Sequence, residues 1–152
     1  MDFYSDILLK IPNVVVDSYS NTLDAVILKL QFINAGINCP NCNKYICKTH
    51  QTRPALVRDL SVFGQLVYLK VPRRQFYCPN CKTSQTEPLS WINKNQRQTN
   101  RYQEYIYEKV KELTVKQVSE HEKMSEDAIQ DIFHKVAKLK KRLGRTKKIE
   151  FG

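Results

Sequence analysis

Two identical Cys-Pro-Asn-Cys tetrapeptides, Cys39–Cys42 and Cys78–Cys81, constrain the fold of this chain more than any other feature. Two residues between paired cysteines let both sulfurs reach one tetrahedral metal ion. The segment between the pairs is longer than the usual ~15–20 residues, but it contains strand-like runs at residues 55–60, 65–71 and 73–77. We therefore predict a zinc ribbon whose antiparallel strands leave one knuckle and return to the other. Its four zinc ligands would be Cys39, Cys42, Cys78 and Cys81.

Other uses of the cysteines are ordinary thiols, a redox pair and a rubredoxin-like iron site. No βαβ pattern surrounds either pair, which disfavours redox chemistry. Iron uses the same ligands, so the sequence leaves it open. Cys47 and His50 also have a spacing that suits a metal. Because the two pairs already fill a tetrahedral shell, we predict Cys47 to be a small buried apolar residue, and the contribution of Cys47 or His50 to the site stays open.

The chain shows no feature of a secreted or membrane protein. No apolar run approaches the ~20 residues that a spanning helix needs. The start, residues 1–6, has acids where a signal peptide carries positive charge. The sequence therefore predicts a cytoplasmic, nucleoid-associated protein without a membrane partner, and in that reducing compartment five cysteines favour metal binding over disulfides.

The formal net charge of +10 points to a polyanionic partner. Both the part before residue 91 and the part after it carry more Lys and Arg than Asp and Glu. The excess is concentrated between Lys138 and Lys148, a run of basic residues without an acid. We expect double-stranded DNA as the partner, although charge alone does not separate DNA from structured RNA.

The first part of the chain is rich in strand-forming residues. Residues 2–10 are compatible with a short helix, and residues 14–16 and 25–30 are predicted to form a hairpin. A second hairpin turn is predicted at residues 61–65. Pro72 should make its strand an edge strand or break it.

Basic residues near the second knuckle are candidates for phosphate contacts. Side chains alternate along a strand, so Arg73 and Gln75 should share one face and Arg74 and Phe76 the other. A solvated face is the competing interpretation. The DNA-binding candidates in this part of the chain are Arg53, Arg73 and Arg74.

The second part of the chain predicts three helices, at residues 100–113, 115–121 and 126–143. Thr114 and Ser125 are suitable N-caps for the second and third helices. The short turn before the third helix matches a helix-turn-helix, and a generic helical bundle is the alternative.

The predicted third helix would supply the contacts to DNA. Its first turns carry three acids that phosphates would repel, namely Glu126, Asp127 and Asp131. Amide and imidazole groups can reach base edges, whereas lysines and arginines favour phosphates. The candidates on this helix are Gln130, His134, Lys135, Lys138, Lys140, Lys141 and Arg142.

These motifs resemble the N-terminal region of DDE insertion-sequence transposases of the ISL-three family. The resemblance covers roughly residues 12–142 and is most specific between Cys39 and Cys81. It follows from a knuckle succeeded by His50, a strand ending at residues 57–60, and Arg73–Cys78 leading into the second knuckle before the helices. It implies that the modules recognise the terminal inverted repeats of a mobile element. It also implies that strand cutting belongs to a later domain with two divalent metals, which should begin about where this chain ends.

We therefore expect an α+β protein, a β-rich zinc-ribbon module followed by a three-helix helix-turn-helix module. The predicted boundaries are 1–90 for the ribbon domain, 91–99 for a linker, 100–143 for the helices and 144–152 for a basic tail. The expected function is DNA binding without enzymatic activity. The alternatives are a protein-interaction or dimerisation module, a transcriptional regulator derived from a transposase, and a nuclease site built from Asp59, Glu87 or Asp131. A homodimer and a separate catalytic partner are left open.

Overall fold

The computed structural model describes residues 8–150, with side chains described as far as Gly144. The chain divides into two compact units, Met1–Thr99 and Asn100–Gly152. Strands form the first unit and three helices form the second, so the predicted α+β class is confirmed. The domain boundaries stay a prediction, and residues 91–99 group with the first unit. Most of the helix predicted at residues 2–10 lies outside the described residues, but Leu8 and Leu9 are helical.

The first unit contains one five-stranded sheet and one two-stranded sheet. The strand order of the larger sheet is β1-β2-β6-β5, with β7 paired to β6. The smaller sheet consists of β3 and β4. The strands are β1 Val14–Asn21, β2 Ala25–Phe32, β3 Ile37–Asn38, β4 Tyr45–Ile46, β5 Thr49–Val62, β6 Gln65–Cys78 and β7 Thr83–Thr86.

The predicted first hairpin is confirmed, since β1 and β2 pair antiparallel from Val14↔Phe32 to Asn21↔Val26. Both strands are longer than the predicted runs, and a bulge at Asp17 shifts the register between Val16 and Ser18. Val14 and Val16 are buried before the bulge, and the residues of β1 from Asp17 onward are exposed.

The two long strands β5 and β6 form the antiparallel ribbon that the sequence predicts between the knuckles. Val62 pairs with Gln65, so the turn consists of Phe63 and Gly64. Both residues have positive φ, 51° and 75°, as a type I′ turn requires. Gly64 adopts this conformation without steric cost, which explains its position in the sequence.

Pro72 does not break β6, because its place in the sheet removes the usual penalty. It pairs with Pro54 of the edge strand β5. On its other side β2 pairs with β6 only as far as Lys70, and β7 begins pairing at Gln75. Pro72 therefore lies at a local edge, where the missing N–H deprives no partner strand of a hydrogen bond.

The core of the first unit lies on the face of β6 that carries Val67, Leu69 and Val71. The last two side chains are fully buried, as is Val57 of β5. Fully burying a valine or leucine contributes about 1.5–3 kcal/mol. Strand β2 pairs with β6 in parallel, so these apolar side chains join those of β2 into one cluster.

The second unit consists of α1 (Asn100–Glu112), α2 (Val115–Glu122) and α3 (Glu126–Glu150). Thr114 forms a full capping box with Gln117, and the Ser125 hydroxyl accepts a hydrogen bond from the Ala128 amide at 3.2 Å. Both predicted N-caps are therefore present. The buried side chains of this unit are Tyr102, Gln103, Ile106, Val118, Glu122, Ile129, Ile132 and Val136. Within the described residues, no helix combines the length and apolarity needed to cross a membrane.

Helix α3 continues through Gly144 to Glu150, whereas the sequence predicts that the chain leaves the helix near Gly144 as a basic tail. A glycine inside a helix costs only about 1 kcal/mol relative to alanine. The lysines and arginines around it are good helix formers, so one glycine does not end the helix.

Candidate metal centre and nucleic-acid interface

The two knuckles have matching backbone geometry. The first lies between β3 and β4, and the second between β6 and β7. In the first, the Asn43 amide donates to the Cys39 carbonyl at 2.8 Å, and in the second Lys82 donates to Cys78 at 2.8 Å. Asn43 and Lys82 both have positive φ, 61° and 55°. The equal tetrapeptides thus form equal turns, each of which brings its two sulfurs to the same side.

The four knuckle cysteines converge at one point. Their Sγ atoms all lie within 4.8 Å of one another. Cys39 Sγ is 3.9 Å from Cys81 Sγ, and Cys42 Sγ is 3.6 Å from Cys78 Sγ. A tetrahedral site with metal–sulfur bonds of about 2.3 Å requires sulfurs about 3.8 Å apart. The donor set and its dimensions therefore fit a tetrahedral metal ion.

Apolar residues support the cysteine cluster from within the first unit. Cys39 and Cys78 are buried with Ile46 and Phe76, and Phe76 is fully buried. Gly36 lies against the β3–β4 hairpin, where an added Cβ would collide with the Ile46 carbonyl and the Tyr45 ring. This close approach to the backbone of the hairpin that carries the first knuckle requires glycine at position 36.

Hydrogen bonds already favour a thiolate in the cluster. The pKa of Cys42 is lowered to about 6, chiefly by the backbone amide of Lys44 and next by the Asn80 side chain. The pKa of Cys81 is raised to about 12, first by its hydrogen bond to Cys42 and then by burial. The hydrogen bond between neighbouring thiols thus lowers the pKa of one and raises that of the other.

The fifth cysteine is not where the sequence predicts it. Cys47 is exposed, and it does not belong to the cluster of four. The preceding residue, Ile46, takes the buried position of β4 instead. Cys47 follows directly after this strand and is exposed, so the prediction of a small buried residue is wrong. His50 is exposed near the start of β5.

Arg74 is held by partners inside the first unit, and its predicted contact with DNA stays a prediction. Its Nε and Nη2 donate to the two carboxylate oxygens of Glu87 at 2.9 and 2.8 Å, and its Nη1 donates to the Asn34 carbonyl at 2.9 Å. The guanidinium also lies 4.6 Å from the Phe32 ring centroid and 5.0 Å from that of Phe76. Its side chain is only 14% exposed. The group is thus held by the fold and turned away from solvent.

Arg53 and Arg73 lie on the face opposite to Arg74, directly across the β5–β6 pair from each other. Arg53 is exposed and Arg73 is partly buried. Both line a cleft that Lys94 also lines. Lys94 is not among the residues predicted to bind DNA, because it falls in a segment predicted to be a linker. The only feature of the sequence that could have indicated Lys94 is its positive charge within that polar segment.

Helix α3 exposes all of its predicted DNA-binding residues. Gln130, His134 and Lys138 recur at intervals of four, so they lie along one side of the helix. The acids Glu126 and Asp127 occupy its first turn, where negative charge compensates the helix dipole. The exposed candidates on α3 are Gln130, His134, Lys135, Lys138, Lys140, Lys141 and Arg142.

Lys140 contacts two side chains of α1. Its Nζ lies 2.7 Å from Glu104 Oε1 and 4.9 Å from the centroid of the Tyr107 ring. The hydrogen bond to Glu104 is the main reason that the pKa of Lys140 is raised. A phosphate would have to compete with Glu104 for this ammonium group, so Lys141 is the better candidate for a phosphate contact.

The three acids considered for a nuclease site have separate surroundings. Asp59 is buried and accepts a hydrogen bond from the Thr99 hydroxyl at 2.8 Å. Glu87 is buried and paired with Arg74, whereas Asp131 is exposed on α3 of the other unit. Among the residues whose side chains are described, the grouping of metal-ligating side chains is the four cysteines.

Paired Cys-x-x-Cys knuckles joined by long antiparallel strands define a zinc-ribbon type of metal-binding fold, and it is followed here by a helical unit. Comparison with known families gives the same assignment. Residues 35–81 match the zinc-finger of transposase IS204/IS1001/IS1096/IS1165, and residues 87–137 match the helix-turn-helix domain of transposase family ISL3. The predicted resemblance is confirmed, and the chain carries the zinc-ribbon and helix-turn-helix domains of ISL3-family transposases.

One similar protein is the transposase for insertion sequence element IS1001 of Bordetella parapertussis. It is 38% identical to this chain over 63 residues. The matched segment spans 41% of this chain and 16% of the relative. No solved structure matches the chain.

Proposed function

We propose that this chain is a zinc-containing protein that binds duplex DNA and recognises the terminal inverted repeats of a mobile element. The observation that carries the proposal is the occurrence of a zinc-finger and a helix-turn-helix domain of one transposase family in a single chain. The net charge of +10 supports a polyanionic partner.

The proposed metal is zinc, with Cys39, Cys42, Cys78 and Cys81 as its ligands. Four thiolates in a tetrahedral arrangement are typical of structural zinc. A filled shell of four protein ligands leaves no open position for a water or a substrate. Zinc bound there would hold the two knuckles together and would take no part in chemistry on DNA.

The proposed helix-turn-helix consists of α1, α2 and α3, with α3 as the helix that enters the major groove. The turn between α2 and α3 is tight because Lys123 adopts a left-handed conformation and the Met124 amide returns to the Ser119 carbonyl at 3.1 Å. Gln130 and His134 are proposed to contact base edges, and Lys138 and Lys141 to contact phosphates. Lys135 and Arg142 extend the same basic surface.

In this proposal, the residues that cleave DNA strands do not belong to these 152 residues. In the proposed role the chain positions the element ends, and the catalytic groups come from a further domain or a separate partner. Two of the acids that could hold a catalytic metal have internal partners, Thr99 for Asp59 and Arg74 for Glu87. We therefore expect no nicking of duplex DNA by these 152 residues with magnesium or manganese.

Fluorescence anisotropy with duplexes carrying the element's terminal repeat and with a scrambled duplex tests this function. We expect binding that weakens linearly in log salt, and a preference for the terminal repeat. Gln130→Ala should reduce that preference by about 1–3 kcal/mol if its contact to adenine is bidentate. Equal affinity for the two duplexes, with no change in Gln130→Ala, would refute α3 as the recognition helix. Salt-independent binding would refute phosphate contacts altogether.

A further inference from the structure

A cleft in the first unit lies between the β5–β6 ribbon and the segment from Gln85 to Gln96. It consists of two cavities of about 480 and 280 Å³ that share much of their lining. Strand β6 forms one wall with Arg73 and Gln75, and the opposite wall contains Asn93 and Lys94. All of these residues belong to one compact unit, so the cleft is part of its fold.

The charge of this cleft is strongly positive. Arg53, Arg73 and Lys94 line its smaller cavity together, with amide side chains around them. The acid that lines the larger cavity, Glu87, is already bound by both prongs of the Arg74 guanidinium. Arg53 and Arg73 are also direct cross-strand partners. Like charges opposite each other destabilise a sheet, so this pairing does not by itself stabilise the folded chain.

Arg73 is the residue that indicates a ligand. Its Nη1 is buried and has no hydrogen-bond partner among the described residues. Burial lowers the pKa of Arg73, and the charge of Glu87 opposes that change only in part. A charged guanidinium whose buried donor lacks a partner in the protein is stabilised when an anion in the cleft accepts its hydrogen bond. Arg74, one residue further along the strand, forms two hydrogen bonds to the Glu87 carboxylate, whereas the Arg73 Nη1 has no such acceptor within the described residues.

We propose that this cleft binds a phosphate group of the DNA backbone, with the partly buried Arg73 as its anchor. The inference rests on the proposed binding of duplex DNA and assigns part of that binding to the first unit. The planar guanidinium can donate two parallel hydrogen bonds to phosphate oxygens. Arg53 and Lys94 supply charge at the exposed rim, and the amides of Gln75 and Asn93 can donate further hydrogen bonds. Such contacts contribute affinity and register without reading sequence.

The test measures the salt dependence of binding to a mixed-sequence duplex by fluorescence anisotropy, using the full chain with its metal. Arg73→Gln should reduce the slope of log affinity against log salt by about 0.9. Lys94→Gln, which removes charge from the same phosphate contact, should reduce the slope by a part of that amount. The matched control is Lys70→Gln, which removes one exposed charge from the same strand as Arg73. Lys70 lines a different cavity and should leave the slope unchanged.

Thermal unfolding separates a ligand role for Arg73 from a structural one. Arg73→Gln should unfold at the same temperature as the wild type or higher, because the change relieves repulsion with Arg53. A structural arginine would give the opposite result. If Arg73→Gln does not fold, Lys94→Gln carries the test, because Lys94 is exposed and its loss does not threaten the core.

The outcomes distinguish this inference from the proposed function. Salt-dependent binding that is unaltered in both cleft variants overturns the phosphate site and leaves DNA binding intact. A wild-type chain without salt-dependent binding overturns both. Amide chemical shifts on titration with inorganic phosphate, at constant ionic strength, identify the source of the anion. Shifts at Gln75 and Lys94 that disappear in Arg73→Gln, combined with unaltered DNA binding, would make this a site for free phosphate and overturn its assignment to DNA.

Discussion

Arg73 and Arg74 are consecutive residues of one strand with opposite surroundings. Arg74 points to the side where Glu87 and Asn34 lie, and its charge is neutralised there. Arg73 points to the other side, where Arg53 is its cross-strand partner. The alternation of side chains predicts that the two differ. It does not predict which side has the carboxylate, because Glu87 and Asn34 are distant in sequence.

The pair between Arg74 and Glu87 should be important for stability. Arg74→Gln leaves a carboxylate that is 5% exposed with the Asn34 amide as its remaining donor, 3.3 Å away. Removing one partner of a buried pair costs about 3–5 kcal/mol. Urea unfolding followed by circular dichroism measures this loss. Replacing both partners, as Arg74→Met with Glu87→Leu, should restore most of the stability, whereas a loss below about 1 kcal/mol in Arg74→Gln would mean that the pair is effectively solvated.

Replacing a cysteine of the cluster and replacing Cys47 should have very different effects on zinc binding and on stability. Cys78→Ser removes one of the four converging sulfurs and should abolish the binding of one zinc per chain, with loss of the ribbon fold. Cys47→Ser changes an exposed thiol outside the cluster and should leave zinc and stability unaltered. Native mass spectrometry gives the metal content of both variants. A folded wild-type chain that binds no metal would contradict the prediction.

At the scale of elements, the sequence predicts what depends on local patterns. The knuckles, the turn at Phe63 and Gly64 and both helix caps all arise from residues a few positions apart. The parallel pairing of β2 with β6 was not predicted, because it joins segments separated by the whole first knuckle and β5. The two-residue strands β3 and β4 carry too few residues for a recognisable pattern. The burial of Cys47 was wrongly predicted for the same reason, because Cys47 directly follows the short strand β4.

Gly64 and Gly144 provide a test of two backbone conformations. Gly144 lies within α3, and an added Cβ would meet no atom within 4 Å. Gly144→Ala should therefore increase helicity and stabilise the helix by about 0.5–1 kcal/mol. Gly64 has φ of 75°, and Gly64→Ala should destabilise the chain by about 1 kcal/mol or more. Circular dichroism at 222 nm with urea unfolding measures both. Destabilisation by Gly144→Ala would mean that the helix ends where the sequence predicts.

For the whole molecule, composition predicts the net positive charge, but only the structure shows where the charged groups without acidic partners lie. Pairing with acids removes Arg74 and Lys140 from the set of unopposed cations. The cleft around Arg73 and the exposed face of α3 around Lys141 keep positive charge that can bind a polyanion. These two surfaces belong to different compact units. Most residues of these two surfaces are predictable from the sequence. The sequence does not show that Arg74 has an internal carboxylate partner while the Arg73 Nη1 has no partner among the described residues.

The last prediction is that both units contact the same duplex. When one phosphate contact is lost, about one condensed counterion fewer is released on binding, and the slope of log affinity against log salt falls by about 0.9. Arg73→Gln and Lys141→Gln should each lower the slope by that amount, and the double variant by about 1.8. The measurement is anisotropy with one mixed-sequence duplex over a series of salt concentrations. The double variant Lys70→Gln with Lys141→Gln, which leaves the cleft intact, is the control and should match Lys141→Gln alone. If the Arg73 and Lys141 double variant has the slope of either single variant, then only one unit holds the DNA, and the single variant with the lower slope identifies which one.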